Sequence, residues 1–225
     1  VSGVVTMRTI RASLAAIGLA AASASTAGAA TIDFTGAPFL LDNSVLSGTT
    51  GFGVGFTVSA TGGAPNWTSF DGDVTPAGLA GQFDGVGVGD DEVSDTVATG
   101  ETLIVTFDSA VRVHGLSFLD LFIDPQANPA DNEAAIVDFT NGSALKTFNG
   151  VEEPDGSPGF LAVTFAPETT SKLILSASVG NDGRGDGDFA LAAIDVKPVP
   201  LPAAAWMLIS AVAGMGFLAR KRRAA

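Results

Sequence analysis

The chain has 225 residues, with 24 acidic side chains against 11 basic ones, a formal charge of −13, one histidine and no cysteine. Without cysteine there is no disulfide, no zinc–thiolate site and no cysteine nucleophile. So acidic a surface repels nucleic acid and anionic lipid headgroups, which excludes a nucleic-acid-binding role.

The N-terminal segment reads as an export signal. Met7-Arg8-Thr9-Ile10-Arg11 forms a positively charged start, and Ala12 to Ala24 is a short, alanine-rich apolar run. Ala27-Gly28-Ala29 supplies small residues at the two positions a signal peptidase reads. Residues 1–29 are therefore expected to be a signal peptide, with Met7 as its start and Val1 to Thr6 upstream of it. Cleavage after Ala29 would leave Ala30 as the first residue. The apolar run is too short to favour an uncleaved anchor.

Residues 30–197 form one domain's worth of chain, long enough to bury a core without staples. All 24 acidic residues fall here. Only Arg112, Lys146, Lys172, Arg184 and Lys197 oppose them, so the body carries −19 and the other six positive charges sit in the two ends.

The pattern along the body has period two. Phe52 to Ser59 is the first clear strand. Leu103-Ile104-Val105-Thr106-Phe107 puts Leu103, Val105 and Phe107 on one face. Val111 to Ile123 is long enough for a bulged strand or two strands. Ala135-Ile136-Val137-Asp138-Phe139 alternates, and Asn141-Gly142 is a hairpin signal leading into Ala144 to Phe148. Phe160 to Phe165, Leu173 to Val179 and Phe189 to Val196 continue the pattern. No stretch of the body sustains a helical period. These features predict an all-β fold: a single antiparallel β-sandwich of about eight strands, jelly-roll-like, with turns between short strands.

Catalytic signals are sparse. His114 is the only histidine and lies in a strand pattern, and no G-x-S-x-G elbow occurs. No catalytic residue is assigned, and the body is expected not to be an enzyme. A hydrolase would need two facing carboxylates in a pocket, and 24 acids make any chosen pair uninformative. Trp67, beside Pro65, could stack on a sugar ring or plug the core.

Acidic loops are the better lead. Asp90, Asp91, Glu92 and Asp95 crowd a glycine-rich segment, and Asp182, Asp186 and Asp188 crowd another. Asp71 with Asp73 and Asp120 with Asp124 are weaker pairs. Calcium takes six to eight oxygens and tolerates irregular loops, so these residues are calcium candidates. The loops lack the EF-hand spacing, and solvated turns are the plainer reading.

The C-terminal segment, 198–225, reads as a sorting tail. Val199-Pro200-Leu201-Pro202-Ala203 precedes an uncharged apolar run, and Arg220-Lys221-Arg222-Arg223 follows it. As helix, residues 203–219 would span about 26 Å, the short end of what crosses a bilayer. Trp206 suits the headgroup level, and the basic cluster should stay cytoplasmic. Pro200 and Pro202 give the helix a sharp start.

This order of motif, helix and basic end resembles the VPLPA variant of the PEP-CTERM sorting signals of exported Gram-negative proteins. The resemblance covers residues 199–223, and it has Pro-Leu-Pro where the namesake has Pro-Glu-Pro. It implies recognition by an exosortase-type membrane protease and an association with exopolysaccharide and biofilm. The expected role is therefore a structural or adhesive protein, anchored in the inner membrane before processing and then placed at the cell surface or outside the cell. The alternatives are a carbohydrate-binding module for extracellular polysaccharide and, less favoured, a secreted hydrolase.

Overall fold

A computed structural model describes residues 28–36, 39–42, 45–67, 70, 72, 74–89, 92–94, 100–123, 133–152, 159–178, 187–200, 207 and 211. Thirteen strands occur among them: β1 Ala30–Asp33, β2 Leu40–Asp42, β3 Val45–Thr49, β4 Gly55–Thr61, β5 Pro65–Asn66, β6 Gly87–Val88, β7 Thr102–Leu119, β8 Phe122–Ile123, β9 Ala134–Asp138, β10 Lys146–Asn149, β11 Val151–Glu152, β12 Leu161–Ala177 and β13 Ala190–Pro198. The body is all-β, and the main sheet is antiparallel at every pairing. The pair of β8 with β11 is parallel.

Nine strands form this one sheet, in the order β10-β9-β12-β7-β4-β3-β2, with β13 also on β7 and β1 on β13. The long strand β7 explains how one sheet encloses a core. Its first half pairs with β4, and its second half pairs with β13 on the same side. Between the halves, Thr106 opposes Lys172 and Val111 opposes Thr170, so residues 107–110 bulge away from β12. Bulges bend a strand and sharpen its twist. Asp108, Ser109 and Ala110 are exposed at this bend. Two runs that read separately in the sequence, Leu103 to Phe107 and the stretch from Val111, are thus one strand. The same holds for Leu161 to Phe165 and Leu173 to Ala177, which merge into β12, while Val179 lies outside the described residues.

A second bulge sits at His114. Val113 opposes Val196 and Gly115 opposes Asp195, which leaves His114 as the extra residue against β13. A one-residue slip moves side chains to the other face. Accordingly Val111 and Val113 are buried before the bulge, and Leu116 and Phe118 after it. Both sets join one core with Leu103, Val105, Phe107, Leu173, Leu175, Ile194 and Val196. Phe118 meets Phe189 edge-on at 5.4 Å and Phe148 at 5.8 Å. Leu119 faces the opposite way, into a smaller cluster with Ala190 and Ala192 under Phe70, Leu79 and Phe160.

The hairpin expected at Asn141-Gly142 is present, with Thr147 opposite Ile136 and Phe148 opposite Ala135. Beyond β13, Met207 and Ala211 are helical and exposed. No helix among the described residues is long and apolar enough to cross a membrane. The expected helix 203–219 otherwise lies outside the described residues, as do the basic cluster 220–223 and the signal segment through Ala27.

Candidate functional site

Three segments distant in sequence converge on one group of acids. Asp84 lies just before an isolated bridge between Val86 and Leu191. Its loop is tied down from β1. Asp33 accepts hydrogen bonds from the Thr35 amide at 2.8 Å and the Ala80 amide at 2.9 Å. The Thr35 carbonyl accepts from the amides of Gln82 at 2.8 Å and Phe83 at 3.2 Å. Gly85 then runs so close to β13 that a Cβ there would meet the Leu191 carbonyl oxygen at 2.4 Å. Its φ of 128° also suits glycine.

Glu92 closes the turn after β6, where the Val88 amide donates to its carbonyl at 3.3 Å. The Val93 amide donates to the Phe189 carbonyl at 2.9 Å, which pins this turn beside the start of β13. Asp120 follows the last residue of β7, with a left-handed φ of 56°. Leu119 opposes Ala190, so Asp120 arrives at the same end of β13.

Carboxylate oxygens of Asp84, Glu92 and Asp120 all lie within 4.8 Å of one another. Asp84 is 3% exposed, and the other two are half-buried. Two unit negative charges at that separation repel by about 3.5 kcal/mol at an effective dielectric near 20. A shared cation or a shared proton relieves this. Two oxygens bound to one calcium at about 2.4 Å are at most about 4.8 Å apart, so the pairwise spacings of the trio lie within the span of one calcium. These are the described residues that could hold a metal.

The sequence candidates fare unevenly. Glu92 is in the trio. Asp90, Asp91, Asp95, Asp182 and Asp186 lie outside the described residues. Asp188 is half-buried and is not one of the three. Asp84 was missed altogether, and Asp120 was paired with Asp124 instead. The available signal for Asp84 was its place before Gly85-Val86-Gly87-Val88, an acid leading into an apolar alternating run.

His114 is half-buried at its bulge, and its Nδ1 is buried with no hydrogen-bond partner among the described residues. A triad base needs an orienting carboxylate on that nitrogen. Trp67 is half-buried and packed against the core, with its Nε1 buried. The large exposed apolar side chains among the described residues are Val74, Leu145, Val199 and Met207, none of them aromatic. Of the processing residues, Ala29, Val199 and Pro200 are described and exposed. Leu201, Pro202 and Ala203 lie outside the described residues.

No family model and no curated protein matches this chain. Among solved structures, it is similar to the family 32 carbohydrate-binding module of Clostridium perfringens NanJ in complex with galactose. Identity is 17% over 63% of this chain and 93% of that one, with a TM-score of 0.32. It is also similar to a family 32 module of Clostridium perfringens in complex with GalNAc-β-1,3-galactose. There identity is 14% over 62% of this chain and 94% of that one, with a TM-score of 0.25.

Proposed function

We propose that the chain is an exported, non-enzymatic surface or extracellular-matrix protein with a structural or adhesive role. A signal peptidase would release its N-terminus, and an exosortase-type protease would read the Val199 to Ala203 motif. The body between them is taken as a β-sandwich ectodomain, formed by the bent sheet closing round one core.

One observation supports this most. β1 begins at Ala30, the expected first residue after signal cleavage, and β13 ends at Pro198, directly before the motif. The folded sheet fills the interval between the two processing signals with nothing to spare. A body so bounded tolerates removal of both ends without loss of a strand.

The test is Pro200→Ala combined with Pro202→Ala. Wild type should lose the apolar helix and reach the surface or medium, whereas the variant keeps the helix and stays in the membrane. Equal mass and equal fractionation of the two forms would overturn motif-directed processing.

A second reading is a carbohydrate-binding module, the class of the solved structures named above. Its sequence candidate, Trp67, is half-buried and packed against the core. Binding of the body on a glycan array tests it, and the structural role predicts no selective binding there.

A further inference from the structure

The two ends of the body leave the sheet side by side. Ala30 opposes Val196 on antiparallel strands, two residues before β13 ends. Pro198 in turn opposes Val111, next to the exposed bend at Asp108 to Ala110. The β3–β4 turn is here too: a Cβ added at Gly51 would lie 3.3 Å from Ala30 Cβ. Arg112 and Lys197 are Cα partners at this same end. Asp84, Glu92 and Asp120 gather at the other end of β13, where Leu119 opposes Ala190 and Val86 bridges Leu191.

From this polarity we infer that, while the tail is in place, the domain stands upright on the membrane, on the end formed by Ala30, Gly51, Ser109 and Pro198. The acid trio is then held at the membrane-distal end. The inference rests on the reading of the tail as a membrane segment, and adds an orientation and a contact surface to it. The partner is the lipid headgroup layer itself.

Distances set the geometry. Four residues, Val199 to Pro202, separate Pro198 from the expected membrane helix, and five extended steps reach roughly 18 Å at most. The headgroup layer itself takes up about 5–7 Å of that. The domain therefore has almost no stalk. β13 has nine residues, and at about 3.3 Å each it carries the trio roughly 30 Å further out. That is several Debye lengths from the surface charge at physiological salt. Anionic headgroups thus meet the end with Arg112, Lys197 and the exposed carboxylate of Asp108, and not the acid trio.

The chain has no cysteine, which makes site-specific labelling direct. Ser109→Cys and Gln82→Cys place a thiol at exposed positions on the two ends. Gln82 is at the distal end because its amide donates to the Thr35 carbonyl, beyond β1. The chain from Ala30 to the end of the tail, carrying either thiol, is labelled with a small fluorophore and reconstituted in phosphatidylethanolamine–phosphatidylglycerol vesicles. Lipids with a nitroxide on the headgroup then quench the label.

Quenching at Ser109 should exceed that at Gln82 several-fold. A flexible Gly-Ser insert of twelve residues between Pro198 and Val199, about 19 Å in r.m.s. length, should narrow the difference. Equal quenching without the insert, or stronger quenching at Gln82, overturns the orientation while leaving the tail reading intact. A chain that fails to float with the vesicles overturns both.

Discussion

Val86 and Leu191 exchange two backbone hydrogen bonds, each of 3.0 Å, and this one bridge fixes where Asp84 meets Asp120. It exists only because Gly85 lets the chain pass within contact distance of β13. Serially, Gly85 is an ordinary loop glycine. Spatially, it sets the depth of the acid trio.

Gly85→Ala should therefore be severe. The φ of 128° is foreign to alanine, and the added methyl meets backbone rather than a movable side chain. A loss of about 2–3 kcal/mol is expected from strain of this kind. Gly53→Ala is the control. Its φ is 86°, but nothing lies within 4 Å of the added carbon, so about 1 kcal/mol should be lost. Urea unfolding of residues 30–198 compares the two. Equal losses would mean that close approach at Leu191 is unimportant.

Calcium should stabilise the body. At ten times its dissociation constant, a ligand of the folded state adds about 1.4 kcal/mol. Melting should rise more in calcium than in magnesium, which dehydrates reluctantly and demands near-octahedral geometry. Asp84→Asn and Asp120→Asn should each shrink the rise. Added sodium chloride separates site binding from general screening of a body at −19. A calcium effect no larger than that of sodium chloride would show that the trio is not a calcium site.

The contrast between trio and loops shows what was legible in the sequence. Period-two alternation marked strands such as Leu103 to Phe107 because one face of each is buried. It could not show that β7 continues through 107–110, since a bulge breaks the period while keeping the strand. Nor could it show that His114 is an extra residue, because the slip becomes visible only against β13. Acid density drew attention to 90–95, whereas convergence draws together Asp84, Glu92 and Asp120 from three segments. Glu92 is common to both because it belongs to the dense run and also closes the turn.

Acid should weaken one surface contact in a defined window. Glu168 pairs with Lys146 at 3.0 Å and accepts from Asn141 Nδ2 at 3.1 Å. The hydrogen bond from Lys146, followed by that from Asn141, holds its carboxyl below the ordinary value of 4.5. A lowered folded-state pKa gives stability that is present above the unfolded value and lost as pH falls through the folded one. Glu168→Gln should thus cost stability at pH 7 and nothing at a pH below both values. The loss at pH 7 should stay below about 1 kcal/mol, because the pair is near solvent and screened. A Glu168→Gln deficit that persists at low pH would show that packing, not charge, is what the side chain contributes. Lys146 also lies 5.5 Å from the Phe165 ring centre, so Lys146→Met is expected to lose more than the carboxylate contact alone.

The intact mass of the mature protein from its native cells tests the central claim most directly, because it reports both processing events at once. The expected species begins at Ala30, within a residue or two, and lacks the apolar run 203–219 together with the basic cluster. That product would be the β1-to-β13 body with the remnant of the proline motif. A mass showing Met7 retained, or residues through Arg223 still attached to protein at the surface, would contradict it.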